Sequence, residues 1–387
     1  MALRHITSIS DLANGEIEHL FSFADRYLAE LGDPAIPSRI GQSTDHFAGH
    51  IMATLFYEPS TRTRLSFETA MLRLGGSVIS SADPSASSAA KGETLADTIR
   101  IVSAYANIIV LRHMREGAAR LAAQYANVPV VNGGDGAHEH PTQTLCDLFT
   151  IRREKGHLDG LNVALLGDLK GSRTIHSLVH GLARFGANIV LMPAPGMDLP
   201  DCFISEIERD YNYVFLDGMN FHGVTAAYGP RREALPNPNP RIDVLYVTRF
   251  QKERWPETAT AYYPRVNAEF LAMKAFEQTL VLHPLPRVGE LDPVFDSDPR
   301  AGYFRQASYG VAVRMALISM LLNADSEDAL ERFATGFRHY SAEDVTASTS
   351  SCSNLNCITT AEGEFRIQAS VSQSARAHCV YCDHETP

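Results

Sequence analysis

Residues 56–64 read Phe56-Tyr-Glu-Pro-Ser-Thr-Arg-Thr-Arg64, and the rest of the chain is organised around them. Ile51 to Tyr57 is apolar with aromatics, the pattern of a buried strand. Glu58 and Pro59 break it. Phe67, Ala70, Met71 and Leu74 then recur at i, i+3, i+4 and i+7, one face of a helix, with Gly75 and Gly76 as C-cap residues. Ser60, Thr61, Arg62, Thr63 and Arg64 therefore sit where a strand feeds a helix N-terminus. The first amides of a helix have no intrahelical partners and carry the positive end of the helix dipole. Three hydroxyls and an arginine fork beside them make a site for a phosphate-like anion. The competing reading is an ordinary capped helix with two solvated arginines. Neither G-x-x-x-x-G-K-[ST] nor G-x-G-x-x-G occurs, so this is not a nucleotide P-loop or a dinucleotide fingerprint.

Working outward, the pattern repeats. A strand at Ser77 to Ser81 leads into a loop of small residues that carries Ser87 and closes at Lys91-Gly92. That loop reads either as a flexible surface segment or as a lid bringing Ser87 and Lys91 to an anionic ligand. A helix follows from about Leu95. The strand from Ile108 ends in Arg112-His113, and the strand from Val128 to Val131 ends in N-G-G-D-G followed by His138, His140 and Gln143. Ligands of open α/β sheets sit at such carboxyl ends. After a helix over 141–155 the alternation restarts, with strands at Leu161–Leu166, Ile189–Met192, Tyr213–Leu216, Val244–Val247 and Leu280–Leu282. These end in Gly167-Asp-Leu-Lys170 before Arg173, in Thr248-Arg-Phe-Gln251 and in His283-Pro-Leu-Pro-Arg287. The expected fold is α/β, with two doubly wound parallel-sheet domains. The first spans residues 1–146 and the second 147–300, and an apolar helix near 305–325 returns to the first. Residues 1–50 read as mainly helical, with Asp11 as an N-cap.

Composition narrows the function. The chain has 387 residues, 45% of them apolar, and a net charge of −11, which disfavours nucleic-acid binding. The start of the sequence shows no signal peptide and no 18-residue apolar run marks a membrane span, so a cytoplasmic enzyme is expected. Of six cysteines, Cys146 and Cys202 lie in apolar-periodic segments and read as buried thiols. The other four lie in the last 36 residues, after a polar linker over 339–351. Cys352 and Cys357 are followed, 21 residues later, by Cys379-Val-Tyr-Cys382. Paired cysteines at this spacing suit a tetrahedral Cys₄ zinc site, and a segment of this length folds only with its metal.

Taken together the motifs resemble the catalytic chain of the aspartate carbamoyltransferase family over about residues 5 to 325. The resemblance rests on F-Y-E-P-S-T-R-T-R-L-S-F-E, K-G-E-T-L-A-D-T, L-R-H-M-R-E-G-A-A-R, H-P-T-Q-T-L-C-D-L-F-T-I, G-D-L-K-G-S-R-T-I-H-S-L, T-R-F-Q-K-E-R and H-P-L-P-R-V-G-E-L, in that order. The ornithine branch shares S-T-R-T-R but usually carries an H-C-L-P-type motif where this chain has His283-Pro284-Leu285-Pro286. The resemblance implies transfer of a carbamoyl group from carbamoyl phosphate to L-aspartate, the committed step towards pyrimidines, in a trimer with shared active sites. It implies no catalytic metal and no covalent enzyme intermediate. It assigns Ser60, Thr61, Arg62 and Thr63 to the phosphate, Arg112 to phosphate and carbonyl oxygen, His140 to the carbonyl oxygen and Gln143 to the carbamoyl amide. Ser87 and Lys91 would come from a neighbouring subunit, and Lys91 would reach the aspartate as well. Arg173, Arg249 and Gln251 would hold the aspartate carboxylates, and the Pro284 and Leu285 carbonyls would orient the reacting groups. One departure is Gly171-Ser172, where bacterial relatives often place an aromatic or imidazole before a glycine. The tail is similar to the zinc domain of the family's regulatory chain, so the chain reads as a fused catalytic and zinc module, with no room for a nucleotide-effector domain. Whether that module docks on its own chain or a neighbour is left open. The rival reading, a non-catalytic assembly protein on the same scaffold, predicts damaged site residues, and none of those named is missing.

Overall fold

The computed structural model describes residues 4–31, 45–81, 91–216, 224–231, 241–255, 263–322, 345–348, 352–362, 369–372 and 378–384. The chain divides into two compact units, Met1–Thr142 with Val311–Pro387, and Gln143–Gly310.

In the first unit, α1 (Asn14–Leu31) buries Ile17, Leu20, Phe21, Ala24 and Leu28 along one face. Asp11 is not its N-cap. It closes the preceding turn, where its carboxylate accepts the N–H groups of Thr7 (2.6 Å) and Ser8 (2.9 Å). Strands β1 (Ile51–Phe56), β2 (Ser77–Ser81), β3 (Ile108–His113) and β4 (Val130–Asp135) form a parallel sheet in the order β2-β1-β3-β4. They alternate with α2 (Thr61–Arg73), α3 (Leu95–Ser103) and α4 (Ala118–Tyr125). The chain leaves β1 for β2 on one side and later places β3 and β4 on the other. The strand order therefore reverses between β1 and β3, which is where an open α/β sheet leaves a crevice at its carboxyl edge. The Tyr57 N–H donates to the Arg112 carbonyl at 2.8 Å and extends the β1–β3 pairing to that edge.

The chain enters the second unit within α5 (Pro141–Lys155) and leaves it within α9 (Tyr303–Leu322). Between them lie α6 (Arg173–Arg184), α7 (Asp201–Tyr211) and the short α8 (Ala268–Ala272). The sheet holds β5 (Asn162–Gly167), β6 (Asn188–Pro193), β7 (Tyr213–Phe215), β8 (Ala226–Pro230), β9 (Val244–Val247) and β10 (Leu280–Leu282), in the order β10-β9-β5-β6-β8-β7. The order reverses between β5 and β9. β8 was not expected from sequence and runs antiparallel to both β6 and β7, so this sheet is mixed. Its sequence, Ala-Ala-Tyr-Gly-Pro, lacks the β-branched alternation of a strand, and pairing with β6 decides its state. α9 is mostly apolar, with Arg305, Gln306 and Arg314 among its polar residues, and is buried along most of its length. In the first unit Tyr27 of α1 bonds Ser319 of α9 at 2.7 Å, and the Arg314 guanidinium lies 5.0 Å over the Phe67 ring. No helix among the described residues is long and apolar enough to cross a membrane.

Two further expectations are corrected. Cys146 is buried, but Cys202 on α7 is exposed, because only Ile207 of that helix is fully buried. Within the stretch 339–351 read as a linker, Val345–Ser348 forms β11, paired antiparallel with β12 (Ala369–Ser372), and the other residues of that stretch lie outside the described ones.

Candidate active site and cysteine centre

At the carboxyl end of β1, Ser60 caps α2 in extended conformation (φ −159°), yet its side chain makes no capping hydrogen bond. The hydroxyl and the first-turn amides of α2 are thus grouped at the crevice. Thr61 and Arg62 are exposed and Thr63 is buried. The two arginines separate in role: the Arg64 Nε lies 3.7 Å from Glu68, four residues on along the same helix, whereas Arg62 occupies the first turn. Arg112, at the end of β3, is buried and fixed from two sides. It donates to Glu58 at 3.1 Å and to the Gly133 carbonyl at 3.2 Å. Glu58, read from sequence only as a strand breaker, is therefore the carboxylate that orients the central arginine. Its place within the F-Y-E-P motif was the available signal. His140 is buried after β4, its Nδ1 3.5 Å from the Thr142 hydroxyl. Lys91 is exposed in the turn before α3, and Ser87 lies outside the described residues.

Two other histidines of this unit are held neutral. Burial pulls both His5 and His113 down to about 4, although Asp11 and Asp135 respectively oppose it. Both rings use Nδ1 as an acceptor, from the N–H of Val130 (3.1 Å) and of Arg115 (3.0 Å). A protonated ring would lose that bond. The unfolded chain binds these protons near pH 6.5 and the folded chain only near 4, so stability falls as pH drops through that window. At pH 5 the loss is about 2 kcal/mol for His5 and less for the more accessible His113. The urea midpoint is expected to be lower at pH 5 than at 7, and His5→Gln is expected to reduce the difference.

In the second unit Asp168, whose role no sequence motif marks, organises the β5 end. Its buried carboxylate accepts from the N–H groups of Gly171 (2.7 Å) and Gln251 (3.1 Å) and from the Trp255 indole (2.9 Å). A Cβ on Gly171 would stand 2.8 Å from that carboxylate, so the Gly171-Ser172 departure is matched to this turn. Arg173 is the buried first residue of α6. Arg249 follows β9 and is paired bidentately with Glu253, one bond measuring 3.0 Å, and it also donates to the Phe250 carbonyl at 2.9 Å. Gln251 donates to the Arg249 carbonyl at 3.3 Å.

The β10 end is held by a buried chain of hydrogen bonds. Gln143 and Gln306 both donate to Asp147, at 2.7 and 2.6 Å, and the Tyr246 hydroxyl donates to it at 2.8 Å. Gln306 in turn accepts the His283 N–H at 3.0 Å. The His283 ring accepts the Leu285 N–H on Nδ1 at 2.8 Å, so its Nε2 donates to Glu290 at 2.7 Å. Leu285 is left-handed (φ 55°), a conformation that costs a branched side chain energy and is held here by that bond. The Pro284–Leu285 segment is thereby fixed.

In the tail, the Sγ atoms of Cys352, Cys357, Cys379 and Cys382 lie within 4.8 Å of one another, and all four residues are buried. Cys352–Cys382 and Cys357–Cys379 are 3.7 and 3.8 Å apart. These distances exclude disulfides, which require about 2.05 Å. They match the ~3.8 Å separation of thiolates arranged tetrahedrally about an ion at 2.3 Å. The donor set thus fits a structural zinc ion. The tail docks on α4 of its own chain. Glu116 accepts from the side chains of Asn354 (2.7 Å) and Asn356 (3.0 Å), and its backbone pairs with Asn356 and Ile358. Arg120 donates to the carbonyls of Val380 (3.1 Å) and Tyr381 (3.3 Å) and to Asp383 (2.7 Å). Cys357, Ile358, Val380 and Tyr381 complete one apolar cluster with Leu95, Ile99, Ala118 and Leu121. Gly117 (φ 81°) makes this contact possible, since a Cβ there would lie 2.6–2.7 Å from Tyr381.

Two α/β units, each with basic side chains at the carboxyl edge of its sheet near a reversal of strand order, are the architecture of an enzyme that binds anionic substrates. Residues 4–154 match the family model "Aspartate/ornithine carbamoyltransferase, carbamoyl-P binding domain", and residues 159–321 match "Aspartate/ornithine carbamoyltransferase, Asp/Orn binding domain". The chain belongs to the aspartate/ornithine carbamoyltransferase family. It is 47% identical over 325 residues to an aspartate carbamoyltransferase catalytic subunit of Archaeoglobus fulgidus, covering 83% of this chain and 99% of that protein. The Methanocaldococcus jannaschii catalytic subunit is 44% identical over 324 residues, covering 83% and 98%. A solved structure of the M. jannaschii catalytic subunit superposes with a TM-score of 0.67 at 43% identity, over 84% of this chain and 99% of that one. Aspartate transcarbamoylase from Trypanosoma cruzi, in complex with carbamoyl phosphate and aspartate, gives 0.66 at 35% identity, over 82% and 96%.

Proposed function

We propose that this chain carbamoylates L-aspartate, using carbamoyl phosphate and releasing phosphate; the relatives are named aspartate carbamoyltransferase catalytic subunits, and the Trypanosoma cruzi structure holds carbamoyl phosphate and aspartate. What supports the reading is the carboxyl edge of the first sheet, where β1 leads into an α2 N-terminus without a side-chain cap, β3 ends in Glu58-oriented Arg112 and β4 leads to buried His140, all in the unit that matches the carbamoyl-P binding domain. Ser60, Thr61, Arg62 and Thr63 hold the phosphate. The aspartate amine attacks the carbamoyl carbon, a C–N bond forms, and negative charge develops on the carbonyl oxygen. Arg112, His140 and Thr63 donate to that oxygen. The bond from carbon to the phosphate oxygen then breaks, and the departing phosphate takes the amine proton. Gln143 directs the carbamoyl amide, and the Pro284 and Leu285 carbonyls, fixed through His283, orient the amine. Arg173, Arg249, Gln251 and Lys91 take the aspartate carboxylates. Two anions that repel in water are thus held in reacting geometry.

The test is formation of carbamoyl-aspartate by the purified chain with ornithine as the competing acceptor. Aspartate as the preferred acceptor supports the assignment, and preferred carbamoylation of ornithine overturns it. The Arg249–Glu253 pair gives a further check. Glu253 pre-orients the Arg249 fork, and freeing such a side chain costs about 0.5–1.5 kcal/mol when a ligand must order it again. Glu253→Gln is expected to raise KM for aspartate about 3- to 10-fold and leave KM for carbamoyl phosphate unchanged, read from steady-state kinetics.

We also propose that the four cysteines hold one structural zinc ion and that the chain is a cytoplasmic trimer in which Ser87 and Lys91 enter a neighbour's site. The cysteine geometry supports the first part, and the family resemblance supports the second. A native mass spectrum showing trimers, or multiples of trimers, with one zinc per chain is expected. Mixing inactive Lys91→Ala and His140→Ala chains is expected to restore activity, since some sites then combine two intact parts.

A further inference from the structure

Asp383 directly follows the last cysteine. It is left-handed (φ 57°), and its N–H donates to the Cys379 carbonyl at 2.9 Å, while its own carbonyl bonds the His378 ring at 3.1 Å. The turn between the two last cysteines therefore sets where its carboxylate points. One oxygen accepts from Arg120 at 2.7 Å. The other lies 2.9 Å from Nε2 of His138. His138 places its second ring nitrogen 3.1 Å from Asp135. Asp135 is buried at the end of β4, where it accepts the N–H groups of Gly117 (2.8 Å) and Glu139 (3.1 Å) and the amide of Asn132 (3.0 Å). An unbroken line of bonds thus runs from the cysteine turn to the segment 135–140, and His140 lies two residues beyond His138.

Docking of the tail does not need this line. Arg120 already binds the carbonyls of Val380 and Tyr381, Glu116 binds two asparagines, and the apolar cluster closes around Tyr381. The His138–Asp383 bond ties the tail to the loop that presents His140. We infer that Asp383 and His138 are positioning residues for carbamoyl transfer, through which the metal-bound tail holds the 135–140 loop in place. The inference rests on the reading of His140 as a donor to the carbamoyl oxygen and of the tail as a metal module.

The test uses the full-length chain. His138→Ala and Asp383→Asn are each expected to keep one zinc per chain and to lower kcat about tenfold, short of the 10²-fold cost of a fully misplaced group, with KM for aspartate unchanged. Asp383→Glu is expected to recover most of the loss. The double variant is expected to fall no further than either single one, as coupled residues do. Stripping zinc from the wild type is expected to reproduce the loss, and stripping it from His138→Ala to add nothing. Wild-type kcat in zinc-loaded His138→Ala overturns the inference, as does a multiplicative loss in the double variant. If Asp383→Asn sheds its zinc, His138→Ala, which leaves the tail sequence intact, decides alone. A failure of the underlying site reading is separate, because it would show as unchanged kcat in His140→Ala.

Discussion

His140→Ala is expected to lower kcat by about 10²- to 10³-fold, the cost of one donor at an oxyanion site. His140 is buried just after β4, and alanine there removes the ring and the N–H it would donate. In the proposed site Arg112 and the α2 N-terminus are untouched by the substitution, so binding of carbamoyl phosphate through them is expected to persist. The loss should fall mainly on kcat, with KM for carbamoyl phosphate changed only a few-fold, the signature of an interaction made in the transition state. Steady-state kinetics read this directly. An unchanged kcat would remove His140 from the mechanism and leave Arg112 as the principal donor. A loss in KM alone would make it a ground-state binder.

Cys352→Ser is expected to have the largest effect on structure. A structural zinc site of this kind contributes roughly 10–16 kcal/mol in isolated zinc modules at neutral pH, and a serine hydroxyl does not ionise to take the place of a thiolate. The described tail has little core of its own. Its buried apolar side chains are the four cysteines with Ile358, Val380 and Tyr381, in one cluster with residues of α3 and α4. Without the ion, four buried sulfurs would be left at that surface. The variant is expected to lose its zinc, to become cleavable by protease beyond residue 345, and to expose Leu95, Leu121 and Ile99. Zinc content and limited proteolysis followed by mass spectrometry check both points. A variant that retains one zinc per chain and resists the protease would mean that Cys352 is not a ligand.

Most of the architecture was legible in the sequence because it is written in local periodicity. Strands such as Ile51–Phe56 and Val244–Val247 are short apolar runs, and α2 and α6 each carry a helical stripe. Their ends bear the hydroxyl and basic residues that strand-to-helix turns gather at a sheet's carboxyl edge. The cysteine quartet was equally plain, since two closely spaced cysteine pairs are a metal-ligand pattern, although only the fold brings the pairs to one centre. What the sequence could not decide depends on contacts between distant segments. β8 is a strand because β6 offers it a backbone ladder, and Cys202 is exposed because little packs on α7. Arg112 is oriented by Glu58 across two strands, and Arg249 by a neighbour that periodicity does not mark. The tail's choice of its own α4, and the bond of Asp383 to His138, join residues more than two hundred positions apart. Such pairings carry no period and no spacing signal. They are fixed by which buried polar groups find partners once the chain has closed, and only the tertiary structure decides that.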